Sequence, residues 1–168
     1  MIGAILVILF SYFATTLFGY VVHWSLHQKW AGSFNQSHMT HHLKLYPPSD
    51  YLSEKYRDAG KDSTPKFFFF AALPTLILPV LLLHFIGILG WGLTILAWCV
   101  MFGVGLMKNY LHDSFHIRNH FLTKIPVVKV WFNNLGRLHY YHHIDMSKNF
   151  GISTFFWDRR FKSFMSSE

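Results

Sequence analysis

Two long stretches of this chain carry no Lys, Arg, Asp or Glu, and they restrict its fold more than any other feature. The first covers residues 1–22, and a helix of 22 residues, at about 1.5 Å per residue, crosses a bilayer core of about 30 Å. The second covers residues 67–107, which is roughly twice the length that one membrane helix needs. Only 14% of all residues are charged, against about 25% in a soluble domain, which also favours a membrane protein.

The second stretch is predicted to form a hairpin. Gly87, Gly90 and Gly92 lie near its middle and favour a turn between two helices. Together with the first stretch, this predicts an all-α integral membrane protein. Its three transmembrane helices are expected at about residues 2–22, 67–86 and 90–107.

A cleaved secretory signal peptide is the alternative interpretation of the first stretch. Such a peptide would begin with a basic segment, whereas no Lys or Arg precedes His23. We therefore expect a retained membrane helix. Cys99 is the only cysteine in the sequence, which excludes an intrachain disulfide and a metal site built from several thiolates.

Ten of the twelve histidines fall in four short clusters with the pattern HxxxH, HxxHH, HxxxH, HxxHH. In chain order they are His23, His27, His38, His41, His42, His112, His116, His139, His142 and His143. Residues three and four apart share a helix face, so each cluster can direct two or three imidazoles at a common point. Imidazole is the commonest metal ligand, and one ion holds about four to six donors, so ten imidazoles predict a centre of two ions. The alternatives are a histidine-lined transport path and a pH-sensing surface.

The other two histidines are predicted to lie outside this ligand set. His84 falls at the far end of the hairpin, across the membrane from the clusters. His120 follows His112 and His116 at the same interval of four residues, on an expected extension of the third membrane helix. We expect it to lie beside the ligands rather than among them, with the alternative that it serves as a spare ligand.

The polar remainder is expected to form a cap, made of residues 23–66 and 108–161, within a single domain that covers residues 1–168. A short helix carrying the second histidine cluster should end at Pro47-Pro48, because proline cannot continue a helix. Three further elements are expected: a surface helix at 50–57, a solvated loop at 58–66 and an interfacial helix at 126–135.

The basic residues lie on one side of the predicted membrane helices. Six of the fifteen Lys and Arg residues lie within residues 28–66, nine lie from Lys108 onward, and none lies elsewhere. By the positive-inside rule, the cap and its histidine clusters face the cytoplasm, while the N-terminus and the hairpin turn face the other side. The net charge of +7 then lies against lipid headgroups, and no nucleic-acid-binding motif accompanies it.

The four clusters, their order and the intervening hairpin resemble the fatty acid hydroxylase/sterol desaturase superfamily of membrane oxygenases. The resemblance extends from His23 to about Phe161, where Asn149-Phe150-Gly151 and Trp157-Asp158-Arg159-Arg160-Phe161 are similar to the segment that follows the last cluster in that superfamily. The sequence His112-Asp113-Ser114-Phe115-His116 and the small size also resemble carotenoid hydroxylases of the same superfamily, which usually space two clusters one residue wider.

The resemblance implies a di-iron centre that uses O2 to hydroxylate or desaturate a lipid, such as a fatty acyl or sterol-like substrate. It also implies carboxylates that orient the imidazoles, for which Asp113, Asp145 and Asp158 are the candidates. Each turnover needs two external electrons, and the chain has no GxGxxG fingerprint and no haem-binding segment. A separate ferredoxin or small cytochrome is therefore the expected donor. The alternatives are a carotenoid hydroxylase and a non-catalytic transition-metal-binding membrane protein, although a metal carrier would place its ligands within the membrane helices.

Overall fold

The computed structural model describes residues 1–58 and 64–166, with the side chains of residues 64 and 65 excepted. None of these residues lies in a β-strand, so the expected all-α class is confirmed for the described part of the chain. The α-helices are α1 Ile2–Leu26, α2 Ser33–Thr40, α3 Thr64–Ala72, α4 Leu78–Phe85, α5 Trp91–Phe115, α6 Pro126–Ile144 and α7 Phe156–Arg160.

Three helical segments are long and apolar enough to cross a membrane, as the uncharged stretches predict. They are Ile2–Leu26, Lys66–Phe85 and Trp91–Phe115, with mean hydropathies of 2.1, 2.2 and 1.5. The second of them joins α3 to α4 through a π-helical turn, Leu73–Ile77, which contains Pro74. A proline lacks the backbone N–H that a regular helical turn would use, and a widened turn accommodates this loss.

α1 and α5 pack along each other through small and polar residues. Ser11, Thr15 and Gly19 are buried on α1, and Thr94 and Ala97 are buried on α5. Small side chains allow membrane helices to approach closely, and the Thr15 hydroxyl satisfies its own hydrogen-bonding need by donating to the Ser11 carbonyl at 2.7 Å. This pairing brings the C-terminal ends of α1 and α5 to the same side of the bundle.

The cap continues from these helix ends and has its own apolar core. Leu111 and Phe115 at the end of α5 pack against Phe132 and Leu135 of α6 and against Phe155. α6 is therefore held against the end of α5, and this contact orients the histidines that α6 carries.

Two expectations for residues 50–66 were wrong, namely a helix at 50–57 and a solvated loop at 58–66. No helix forms at 50–57: a short 3₁₀ turn, Pro48–Asp50, is followed by irregular chain, in which the Ser53 N–H donates to the His116 carbonyl at 2.9 Å. Arg57 holds this segment folded by donating to the Leu45 carbonyl and to the Asp50 carboxylate, so tertiary contacts replace the helical hydrogen bonds.

The expected solvated loop begins with a buried residue, because Asp58 is only 4% exposed. Residues 59–63 of that loop lie outside the described residues, and residues 64–66 belong to α3 rather than to a loop. The expected interfacial helix at 126–135 is the first half of α6, which continues to Ile144 because His139, His142 and His143 extend its buried face.

Candidate metal centre

The described structure brings the ten clustered histidines to one place at the cap side of the membrane helices. His23 lies in the last turn of α1, and His27 follows the end of that helix. The third cluster has the same arrangement, with His112 in the last turn of α5 and His116 directly after it. α2 and the π-helix His41–Leu45 that continues it supply the second cluster. The final three histidines occupy the last turns of α6.

Nine of the ten fall into two groups whose ligand atoms lie within 4.8 Å of one another. The first histidine group consists of His23, His27, His38, His42 and His142, and the second histidine group consists of His41, His112, His116 and His139. His143 belongs to neither group. Its ring lies 4.0 Å from that of His42 and 4.8 Å from that of His116, so it stands between them.

Burial favours the neutral form of several of these imidazoles. Burial, followed by the charges of neighbouring histidines, lowers the pKa of His38, His42 and His139 well below the ordinary value of 6.5. His27 is the least buried of the ten, and burial together with the charge of His41 lowers its pKa to about 4. A neutral imidazole is the form that binds a metal ion.

Backbone carbonyls determine which nitrogen of four imidazoles carries the proton. His23 Nδ1 donates to the Phe150 carbonyl at 2.7 Å, and His142 Nδ1 donates to the Lys148 carbonyl at 2.5 Å. His143 Nδ1 donates to the Tyr46 carbonyl at 2.8 Å, and His116 Nδ1 donates to the Tyr51 carbonyl at 3.2 Å. Because a carbonyl oxygen can only accept, each Nδ1 must hold the hydrogen, and each Nε2 keeps a lone pair.

Carboxylates have the same effect on two more rings. His41 Nδ1 lies 3.2 Å from an oxygen of buried Asp58, and His112 Nδ1 lies 3.2 Å from an oxygen of Asp113. The predicted role of Asp113 thus matches its position. Asp58 was missed because its only sequence signal was a place at the start of a polar segment.

The other two candidate carboxylates do not contact the clustered histidines in the described structure. Asp145 accepts hydrogen bonds from Ser147. Asp158 is fully buried and accepts from the backbone N–H groups of Phe150 and Gly151, at 2.7 and 2.9 Å. Asp158 therefore acts at one remove, by fixing the loop whose Phe150 carbonyl orients His23.

The spacing of the Nε2 atoms fits ligands that share an ion. Nε2–Nε2 distances are 3.0 Å for His27 with His142, 3.0 Å for His38 with His27, and 3.3 Å for His139 with His116. Two nitrogens that are each about 2.1 Å from one ion lie roughly 3.0–3.4 Å apart at octahedral or tetrahedral angles. In addition, His23 Nε2 and His143 Nε2 are buried without a hydrogen-bond partner among the described residues. The donor set therefore suits metal ions.

The two remaining histidines lie elsewhere, as expected. His84 packs against Trp91 at the hairpin turn, with 3.8 Å between ring centres, and its Nδ1 lies 2.9 Å from the Leu89 carbonyl oxygen. The Nε2 atom of His120 lies 3.2 Å from the Tyr110 hydroxyl oxygen, and its ring stacks on that of Phe132 rather than on a clustered histidine. The expected helical extension to His120 was wrong, because α5 ends at Phe115 and the chain turns through Asn119 at a φ of 57°.

A protein-family model described as fatty acid hydroxylase matches residues 8–163 of the chain. This range includes the ten clustered histidines, the second and third apolar helical segments, and the first one from residue 8 onward. Among curated proteins and solved structures, none matches the chain significantly.

Proposed function

This chain belongs to the fatty acid hydroxylase family, and on that basis we propose that it is an O2-dependent membrane oxygenase that hydroxylates or desaturates a lipid. The observation that carries the proposal is the convergence of ten imidazoles, six of which have Nδ1 held by an oxygen acceptor, so that Nε2 is left for a metal ion. Such an arrangement suits metal ions that must keep a fixed ligand geometry during redox chemistry.

We assign the ten histidines to two iron ions, one at each histidine group, with His143 available to either. Iron, when bound, supplies the O2 activation that oxidation of an unactivated C–H bond requires. In hydroxylation, one oxygen atom of O2 enters the C–H bond and the other leaves as water, with two electrons from a donor and two protons. The residues of this chain hold the imidazoles neutral, orient them and exclude water from the site.

The position of the site supports a lipid substrate. His23 and His112 belong to helices that also carry the apolar, membrane-length segments, so the candidate centre lies at the end of those segments. A lipid can approach from the bilayer without crossing the cap. The distribution of Lys and Arg supports a cytoplasmic position for this end of the bundle, where a separate ferredoxin or small cytochrome would deliver electrons.

The test compares two histidine variants in one membrane preparation that is supplied with a reductant. His142→Ala removes an imidazole from the first histidine group, so we expect loss of at least one ion per chain and of O2-dependent lipid oxidation. His84→Ala is the matched control, because His84 lies at the hairpin turn, and it should keep both.

Metal content and oxidised lipid are measured together for both variants and the unaltered chain. Normal lipid oxidation by His142→Ala would overturn the proposed oxygenase. Two bound ions with no oxidation of any supplied lipid by the unaltered chain would instead indicate a non-catalytic metal-binding protein.

A further inference from the structure

A cavity of about 520 Å³ opens at the surface of the cap beside His27. Its walls are the end of α1, α2, the segment after α6 and the segment after α7. Two other cavities in the described part of the chain, of about 590 and 400 Å³, have no clustered histidine in their walls. Of these three cavities, the one beside His27 is therefore the one from which a solute can touch a candidate metal ligand directly.

The imidazole of His27 connects this cavity to the first histidine group. The ring is half-buried, and its Nε2 lies 3.0 Å from the Nε2 atoms of His142 and His38. Its Nδ1 has no hydrogen-bond partner among the described residues, unlike the six clustered imidazoles whose Nδ1 is held by an oxygen acceptor. Because the ring also lines the cavity, His27 is in contact with the other ligands on one side and with the cavity on another.

Phe150 forms the rest of the thin wall between the cavity and the first histidine group. Its ring lines the cavity, and its centre lies 5.6 Å from that of His27 and 5.5 Å from that of His142. At the cavity of about 590 Å³, by contrast, Tyr51 lies between the wall and the second histidine group, with 4.6 Å between its ring centre and that of His116. The first histidine group therefore has the shorter connection to the surface of the cap.

The rim of the cavity beside His27 is basic. Lys148 and Lys162 line it, and its described lining residues include no Asp or Glu. Asp145 lies nearby, where it accepts hydrogen bonds from Ser147 and partly balances the charge of Lys148. The wall of the cavity of about 590 Å³, in comparison, contains the carboxylate of Asp50. A basic rim repels cations and attracts a protein with an acidic surface.

We propose that this basic rim is the docking surface for an acidic electron-donor protein, and that electrons enter the centre through His27. The inference rests on the proposed function, which needs two electrons per turnover, and it adds the place where they enter. Each donor molecule loses one electron and the ion at the first histidine group gains it, so two donors in succession supply the pair. Redox proteins meet through small and transient interfaces, so a few charges around an accessible ligand suffice to orient the donor.

Reduction of the metal-loaded full chain, without O2 and without added lipid substrate, tests docking separately from lipid oxidation. The chain is placed in phosphatidylcholine bilayers, whose headgroups have no net charge, so that anionic lipid does not cover the lysines. The protein donors are a reduced plant-type ferredoxin and, separately, a reduced b-type cytochrome, both with acidic surfaces. Reduced methyl viologen, a small cation, is the comparison reductant. Stopped-flow absorbance gives the second-order rate constant for oxidation of each donor.

Two variants change the charge on either side of His27. Lys162→Glu reverses a charge at the rim and should lower the rate constant with the protein donors about tenfold at low ionic strength, with a smaller loss in about 0.5 M salt. Gln28→Glu adds a negative charge to the cavity wall and should act in the same direction. The rate constant with methyl viologen should stay the same or rise. Arg137→Glu is the matched control, because it makes the same charge reversal at the cavity of about 590 Å³ and should leave the rate constants nearly unchanged.

The outcomes separate this inference from the proposed function. Equal slowing by Lys162→Glu and Arg137→Glu, or slowing with methyl viologen as well, would overturn the docking surface, because the effect would then not belong to donor binding at this rim. Reduction of the unaltered chain by methyl viologen but by neither protein donor would overturn it too, while lipid oxidation driven by methyl viologen would leave the oxygenase in place. If the protein donors behave as expected but no lipid is oxidised once O2 and lipid are supplied, the oxygenase is overturned and the electron entry stands.

Discussion

Six of the ten clustered imidazoles have one nitrogen already engaged by an oxygen acceptor. Four of these acceptors are backbone carbonyls and two are carboxylates, those of Asp58 and Asp113. Sequence inspection finds carboxylates more easily than carbonyls, because every residue has a carbonyl and only the tertiary structure selects which one faces a histidine.

Asp58 offers the sharpest test of this arrangement. Asp58→Asn keeps the side-chain shape but replaces a charged acceptor by an amide, so His41 becomes a weaker ligand, and metal affinity should fall about 10–100-fold. Metal content is measured during titration with a chelator. Asp145→Asn is the control, because Asp145 binds Ser147 and not a clustered histidine, and it should titrate like the unaltered chain.

The lowered histidine pKa values predict how the metal-free protein responds to acid. Histidines of the unfolded chain take up protons near pH 6.5, whereas burial lowers the folded pKa of His27 to about 4 and lowers those of His38 and His42 as well. Below pH 6.5 the unfolded state binds more protons, so the free energy of unfolding should decrease as the pH falls from about 6.5 toward 4.

Thermal unfolding of the metal-free protein between pH 8 and pH 4 checks this prediction. The unfolding midpoint should be nearly constant above about pH 7 and should decrease at lower pH. A midpoint that rises on acidification would show that the clustered histidines gain protons on folding, in contradiction to their burial.

At the scale of elements, the centre depends on helices that continue beyond the membrane-length apolar windows. α1 and α5 each carry their first ligand within the last turns of a 25-residue helix. The segment after α6 then returns to the first histidine group, where Lys148 and Phe150 present their carbonyls to His142 and His23. Asp158 fixes that segment from α7.

Gly151 shows how closely this returning segment is packed. A Cβ at Gly151 would lie 2.2 Å from the Thr154 carbonyl oxygen and 2.7 Å from an Asp158 carboxylate oxygen. Gly151→Ala must therefore displace the segment, and we expect destabilisation of about 1–3 kcal/mol, together with weaker metal retention. The unfolding midpoint and the metal content are the measurements. Gly103→Ala is the control, because a Cβ there meets open space, and a similar loss in that variant would show that the effect is not local.

For the whole molecule, three membrane-length segments and one-sided basic residues predict the topology. With three crossings, the two ends of the described chain would lie on opposite sides, and we expect residues 28–58 and the segment after α5 together in the cytoplasm. Tags at both ends, probed in intact and permeabilised cells, should show an N-terminal tag that is accessible from outside. A cytoplasmic N-terminal tag would reverse the assignment and would place the histidines on the outer face.

The sequence alone determined the helical membrane fold and the histidine candidates. Both follow from short-range regularities: a bilayer core requires about 20 apolar residues, and histidines three or four apart share a helix face. Neither property depends on which distant segments meet, so both can be read along the chain. The separate position of His84 was also expected, whereas the helix that was to carry His120 beside the ligands ends earlier.

Only the tertiary structure decided how the histidines divide into two groups, and that Asp58 supports His41. It also decided that irregular chain replaces the expected helix at 50–57. Each of these features joins residues that are far apart in sequence, such as His27 with His142. Their contacts depend on the packing of α1 against α5 and of α6 against both helix ends, for which no local sequence pattern exists.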